Sequence, residues 1–235
     1  MNSEFIDAIK KCKYYGEIFS GKNVAFVFLG GSRLIKNPDS KSDYDINVVT
    51  VDDEGFSHCN KCLTYKGVKV HWYYRSLKTL VSPLHPLVSV GNSQLAYLTE
   101  KDIIYVNPTY QKEYDNFLSN IQWISRLGSY QLYEKQKDII AKIIGQGEIK
   151  EEDKTKFLHH LCLSSYILTG DKEDWSALSS IKRIRWEEVP SEYQAIAVER
   201  IKILDKYIKD NPIDVLAETE AINKILEVSA QAKKT

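Results

Sequence analysis

A short apolar strand that ends in two glycines is the feature of this sequence that most limits how the chain can fold. Residues 23–29 are rich in Val and Phe and too few for a helix, so they predict a buried strand. Gly30 and Gly31 then predict a sharp turn whose backbone N–H groups no side chain shields. Such a turn can approach an anion closely. The hydroxyl of Ser32 adds a donor that could reach a phosphate oxygen.

Two aspartates follow this turn at the start of a second apolar run. Asp43 and Asp45 flank Tyr44, and residues 44–51 predict a strand. Side chains two apart on a strand point to the same face, so these carboxylates would repel each other unless a divalent cation lay between them. Mg²⁺, or Mn²⁺ in its place, suits such oxygen ligands and would bridge to a triphosphate. The combination predicts in-line nucleotidyl transfer assisted by two metal ions.

The spaced set Gly31-Ser32 and Asp43-Tyr44-Asp45 also resembles the signature of the nucleotidyltransferase superfamily, the fold of DNA polymerase beta and kanamycin nucleotidyltransferase. The pattern looks like the bacterial and phage branch of that superfamily, and the resemblance covers roughly residues 23–80. It implies a metal-dependent transfer of a nucleoside monophosphate from a nucleoside triphosphate to an acceptor hydroxyl, with Asp43 and Asp45 as catalytic metal ligands. The nucleotide-binding residues that it implies are Gly30, Gly31, Ser32 and Arg33.

One position departs from the family pattern. Active relatives carry a third carboxylate on a later strand, whereas the matching strand here, residues 68–74, presents Lys69, His71 and Tyr73 on its outward face. We assign the third catalytic position to His71, with Lys69 as the next choice. A neutral histidine could act as a general base or as a softer metal ligand that favours Mn²⁺ over Mg²⁺. The acids at 52–54 could substitute only if their loop folds back.

The sequence predicts an α+β fold, with a small mixed sheet of nucleotidyltransferase type followed by an all-helical bundle. Residues 4–19 predict an amphipathic helix, residues 63–66 and 68–74 a hairpin, 76–81 a short helix and 101–106 a last strand. Beyond 108, apolar residues recur at helical spacing. We therefore expect an α/β domain over residues 1–108 and a helical domain over 109–235.

Composition narrows the class of protein and its partners. The 32 basic residues balance the 32 acidic ones, which argues against coating nucleic acid by bulk charge. No apolar run approaches the length of a membrane span, and four cysteines in 235 residues do not indicate a disulfide framework. We expect a cytoplasmic enzyme without a membrane partner. It would bind a nucleotide and an acceptor that is a small molecule, a nucleic acid end or a protein.

Other functions stay open at this point. The same site could hydrolyse nucleotides with water as the acceptor, or bind nucleotide or protein without catalysis. Cys59 and Cys62, with His58 and with His71 opposite, could form a zinc knuckle, although a single CxxC pair is a weak signal. His71 could equally be an ordinary histidine at the edge of the core.

Overall fold

The computed structural model describes residues 3–11, 23–34, 42–51, 56–77, 80, 91–144, 151–170 and 186–231. The strands are β1 (Val24–Gly30), β2 (Tyr44–Thr50), β3 (Phe56–Tyr65), β4 (Val68–Ser76) and β5 (Ile103–Val106). The longer helices are α1 (Ser3–Lys11), α2 (Gln111–Ser119), α3 (Ile121–Ile144), α4 (Glu151–Thr169), α5 (Ser191–Asp210) and α6 (Val215–Gln231). Short 3-10 helices cover Gly31–Leu34, Leu95–Tyr97, Glu100–Asp102, Pro108–Tyr110 and Trp186–Glu188.

The five strands form one mixed sheet in the order β3-β4-β2-β1-β5. β1 pairs antiparallel with β2 and with β5, and β3 pairs antiparallel with β4. β2 and β4 are parallel, so they join two antiparallel parts of the sheet. The predicted α+β class, a mixed sheet with helices, is confirmed.

One face of the sheet packs on α1. Alternate side chains of β1, β2 and β4 point to this face, where Phe5 and Ile9 of the helix cover them. The buried residues of this core are Phe5, Ile9, Val24, Val27, Leu29, Ile46, Val48, Val70, Trp72 and Ile104. Of the predicted helix 4–19, the structure describes only the part that falls within α1; residues 12–20 lie outside the described residues.

The other face of the sheet is aromatic at one end. Phe26 and Phe28 of β1 contact Phe117 of α2, with ring centroids 4.9 and 5.6 Å apart, and Phe26 also meets Tyr114 edge-on. Asn107, just after β5, ties that strand's end to β1 by donating from its side chain to the carbonyl of Val24. This end of the face is therefore packed, and its polar residues lie farther along β2 and β4.

The strands differ from the sequence prediction at two ends. β3 begins at Phe56 rather than near residue 63, because it pairs with β4 as far as the Phe56–Arg75 position. β4 continues to Ser76 rather than stopping at 74, since it stays paired with β2 up to the Thr50–Ser76 position. The predicted helix over 76–81 therefore starts inside a strand, and residues 78, 79 and 81 lie outside the described residues.

The chain divides into two compact units. The first holds Met1–Ser82, Gln94–Ile124 and Glu220–Thr235, and the second holds Pro83–Ser93 and Ser125–Thr219. Within the first, Asn116 of α2 donates to the carbonyl of Ile225 in α6. The predicted boundary near residue 108, between an α/β domain and a helical domain, stays a prediction.

A shared carboxylate joins two helices in the second unit. Oδ1 of Asp205 on α5 accepts hydrogen bonds from the Tyr133 hydroxyl and the Lys137 ammonium of α3, both at 2.6 Å. Burial alone would raise the pKa of Asp205, but these two donors lower it. Among the helices that the structure describes, none is long and apolar enough to cross a membrane.

Candidate functional site

The turn after β1 is built against an aspartate of β2. Gly31 has φ of +70°, a region that side chains rarely adopt, and a Cβ at this position would overlap Oδ2 of Asp45. Gly30 pairs with Asp45 across the sheet, and a Cβ there would overlap the side-chain amide of Asn47. Both glycines are therefore required by close approach, and the predicted sharp turn is present as the start of the 3-10 helix Gly31–Leu34.

Asp43 and Asp45 occupy different surroundings. Asp43 precedes β2 rather than lying within it, and its side chain is 46% exposed. Asp45 lies inside the strand, flanked by Gly30 of β1 and by His71 of β4. One carboxylate thus faces solvent while the other is enclosed by the sheet.

His71 lies where the sequence placed it, beside the two aspartates. It is in register with Asp45 across the parallel β2–β4 pair, so both side chains point to the same face. Its Nε2 lies 3.3 Å from Oδ2 of Asp43, and the side chain is 24% exposed. Lys69, the second choice for this position, is exposed and lies opposite Thr64 of β3.

Two further residues of β4 belong to this face and were not assigned a role from the sequence. The Tyr73 hydroxyl donates a hydrogen bond to the Asp45 carboxylate, and the Tyr73 ring stacks on His71. Arg75 follows two residues later, is only 4% exposed, and lies near enough to Asp45 for its charge to affect that carboxyl group. The sequence feature that could have identified them is the alternation of residues 71, 73 and 75 on one face of the strand. This alternation continues one position past the predicted end of the strand.

These neighbours shift the protonation of the enclosed carboxyl group. The pKa of Asp45 is raised from 3.8 to about 6, chiefly by burial, and the nearby charge of Asp43 acts in the same direction. His71, the hydrogen bond from Tyr73 and the charge of Arg75 act in the opposite direction without cancelling the burial effect. Burial and Asp45 also raise the pKa of Tyr73 to about 12, so this hydroxyl remains a donor at neutral pH.

Asn47 of β2 is a further polar residue on the same face of the sheet. Asn47 is 3% exposed and follows Asp45 by two residues, opposite Tyr73. Within the described part of the chain its Oδ1 has no hydrogen-bond partner. A buried acceptor of this kind carries a desolvation cost of about 1–3 kcal/mol, so it marks the face as one not optimised for stability alone.

Arg33, which the sequence predicts to bind the nucleotide, contacts other parts of the protein. Its guanidinium donates from Nε to the carbonyl of Ser42 at 2.9 Å and lies 4.3 Å from the centre of the Tyr44 ring. On its other side Tyr44 stacks on Phe5 of α1, with centroids 4.0 Å apart. Arg33 thus ties the turn to the segment that carries the aspartates. A nucleotide contact of Arg33 stays a prediction, and the side chain of Ser32 lies outside the described part.

The zinc hypothesis concerns side chains that the structure does not describe. His58, Cys59 and Cys62 lie on β3, where the pairing with β4 is irregular between Cys59 and Leu63. The acids at 52–54 also lie outside the described residues. Cys162, in the second unit, is a buried free thiol.

The donor atoms present can be compared with the needs of a divalent cation. In the described part of the chain no three His, Cys, Asp or Glu side chains group as a metal site. Mg²⁺ is usually held by one or two carboxylates together with substrate phosphates and water. Asp43 and Asp45, next to a turn with unshielded N–H groups, match that donor set, because the glycines leave no side chain between the turn and the carboxylate.

Comparison with solved structures shows distant structural similarity to known proteins. A crystal structure of a nucleotidyltransferase-like protein from Exiguobacterium sibiricum is similar to this chain, at 11% sequence identity and a TM-score of 0.32. The match covers 97% of this chain and 75% of that one. No protein-family model matches the sequence, and no curated protein matches it.

Proposed function

We propose that this chain is a metal-dependent nucleotidyltransferase, which moves a nucleoside monophosphate from a nucleoside triphosphate to an acceptor hydroxyl. The observation that carries the proposal is the meeting of three elements at one place. The glycine turn after β1 packs against Asp45 of β2, Asp45 is in register with His71 of β4, and His71 contacts Asp43. A turn suited to phosphate, two carboxylates and a histidine thereby lie together, although they are far apart in the sequence.

The nucleotide would bind with its β and γ phosphates at the turn. The backbone N–H groups of Gly31 and Ser32 are the donors, since the start of a helical turn presents unpaired N–H groups to an anion. Gly31 has no side chain that could stand between these N–H groups and an anion. The Ser32 hydroxyl would add one donor to this set.

Asp43 and Asp45 would hold Mg²⁺ or Mn²⁺ between themselves and the triphosphate. When bound, the cation neutralises charge that develops on the phosphate oxygens during transfer. Asp43 contributes an exposed carboxylate, and Asp45 a half-buried one whose position the sheet fixes. Because Asp43 remains 46% exposed, its carboxylate would be accessible to such a cation.

The reaction would replace a phosphoanhydride bond of the triphosphate with a phosphoester bond to the acceptor. The acceptor oxygen forms a bond to the α phosphorus, the bond from that phosphorus to the bridging oxygen breaks, and pyrophosphate leaves. The proton of the acceptor hydroxyl goes to neutral His71, which lies on the same face as Asp45. His71 then releases that proton to solvent, as its side chain is 24% exposed.

Product analysis tests the proposal. The protein is incubated with each α-³²P-labelled nucleoside triphosphate, Mn²⁺ or Mg²⁺, and pools of small molecules, RNA or protein as acceptors. Pyrophosphate release with label on an acceptor supports transfer. Labelled nucleoside monophosphate or diphosphate without acceptor labelling would instead show hydrolysis, and the absence of turnover would show a binding protein.

A matched pair of variants ties the activity to the site. Asp43→Asn should abolish turnover because it removes a metal ligand. Asp210→Asn makes the same chemical change at an exposed position in the second unit and should leave turnover unchanged. Equal turnover in both variants would assign any activity to another place.

A further inference from the structure

The carboxylate of Asp45 is already engaged on several sides. Oδ2 lies against the Cα of Gly31, where no Cβ fits, and the Tyr73 hydroxyl donates a hydrogen bond to the group. An ionised carboxylate offers about four lone-pair directions. The contacts with the turn and with Tyr73 reduce the directions that remain for cations. Asp45 is therefore suited to one metal contact rather than to bridging two ions.

A buried cation lies on the same face of the sheet, two residues beyond Tyr73 on β4. Arg75 is 4% exposed, and its charge acts on both Asp45 and Tyr73. A guanidinium fixed in a region of low dielectric repels a further cation more strongly than one in water would. The charge of Arg75 thus opposes a second divalent ion at Asp45.

The third position of the site lacks the ligand that a second ion needs. His71 occupies the register position opposite Asp45, and its Nε2 points to Oδ2 of Asp43 at 3.3 Å. An imidazole brings one nitrogen and no negative charge, whereas hard cations such as Mg²⁺ prefer carboxylate oxygens. Without a third carboxylate, Asp43 and Asp45 are the acidic ligands of this face in the described part of the chain.

We infer that the site takes a single divalent cation with its nucleotide, that Tyr73 is a positioning residue that holds Asp45 in a one-ion arrangement, and that the charge of Arg75 opposes a second ion. This inference rests on the proposed function and deepens it. Transfer would then proceed with one ion on the triphosphate and with His71, rather than a second ion, acting on the acceptor hydroxyl.

Equilibrium dialysis measures the number of ions directly, without turnover. The full chain is dialysed against Mn²⁺ and the α,β-methylene analogues of ATP, CTP, GTP and UTP, one at a time, and bound metal and bound nucleotide are counted. We expect one Mn²⁺ per bound nucleotide. The electron paramagnetic resonance spectrum should show no exchange coupling, which two ions about 3.5–4 Å apart would produce.

A pair of variants changes the count in a defined way. His71→Asp supplies the missing carboxylate and should raise the ratio to two Mn²⁺ per nucleotide, with a coupled spectrum. Thr64→Asp adds the same charge at an exposed position of β3 and should leave the ratio at one. Circular dichroism confirms that each variant is folded.

The outcomes separate the inference from the proposed function. Two coupled ions in the unaltered chain would overturn the inference while leaving the proposed function standing. Failure of every analogue to bind with Mn²⁺ would overturn both. One ion in the unaltered chain and in both variants would overturn the role of the third position.

Discussion

Gly31 and Gly67 allow the effect of backbone strain to be separated from the effect of steric overlap. Both have positive φ, at 70° and 79°, but a Cβ on Gly31 overlaps Asp45 whereas nothing lies within 4 Å of one on Gly67. Each substitution by alanine should destabilise the fold by about 1–2 kcal/mol through backbone strain. Gly31→Ala should also displace Asp45 and weaken Mn²⁺-nucleotide binding at least about tenfold. Dialysis and urea unfolding of both variants measure this. Equal Mn²⁺ affinity in the two would show that the turn does not support the site.

Asp45 gives the metal-free protein a specific pH dependence. Its carboxyl pKa is raised from 3.8 to about 6, chiefly by burial, so the folded state holds the proton more readily than the unfolded state. The resulting stability is fully present below the unfolded pKa and is lost as pH rises through the folded pKa. The unfolding free energy should therefore fall between about pH 4 and pH 6 because of this group.

Asp45→Asn removes that dependence. In the presence of EDTA at pH 7 the variant should be more stable than the unaltered chain, by at most about 3 kcal/mol, and the difference should vanish near pH 4. Urea unfolding at several pH values measures both effects. Adding Mn²⁺ with nucleotide should stabilise the unaltered chain and not the variant. Coincident pH profiles for the two proteins would show that Asp45 does not titrate as described.

At the scale of elements, α1 is connected to the aspartates through aromatic stacking. Phe5 is fully buried and its ring stacks on Tyr44. Ile9 lies in the same core but has no ring with which to stack. Phe5→Leu and Ile9→Val should each destabilise the protein by about 1 kcal/mol. Only Phe5→Leu should weaken Mn²⁺-nucleotide binding, because Tyr44 is the residue between the two aspartates. Equal binding in both variants would show that α1 supports the fold alone.

The sequence predicted β1 well because it is apolar on both faces and ends at turn residues. It predicted β2 because apolar residues alternate with polar ones before an apolar end. It placed the start of β3 seven residues too late, since residues 52–61 are polar and the strand's pairing with β4 is a long-range contact that no local pattern reports. Arg75 was missed for a related reason. A charged residue near the end of an apolar run looks like a boundary, and burial of its guanidinium depends on the surrounding fold.

At the scale of the molecule, the domain boundary predicted near residue 108 can be tested by truncation. A chain ending at Asn107 lacks α2, so Phe26 and Phe28 lose their contacts with Phe117. We expect it to aggregate because an aromatic patch becomes exposed. A chain ending at Ile124 keeps α2 and should remain more soluble, as measured by light scattering at equal concentration. A soluble, folded 1–107 chain would favour the domain boundary predicted near residue 108.

The site itself was predicted in part. Spacing and residue type indicated Gly31, Asp43, Asp45 and His71, and the structure brings these four together. Their catalytic and binding roles stay predictions. What the sequence did not provide is the unequal exposure of the two aspartates, which arises because Asp43 precedes β2 while Asp45 is enclosed by β1 and β4.

The parallel pairing of β2 with β4 has a consequence for how errors in assembly are detected. Trp72 is fully buried opposite Ile46, and His71 beside it lies opposite Asp45. A shift of β4 by one residue would turn Trp72 toward the aspartates and His71 into the core. Such a chain would lose its core and its site in the same step. Turnover would therefore show that β2 and β4 have paired in the correct register. Chains in which they have mispaired would have no activity, because the same register forms the core and the site.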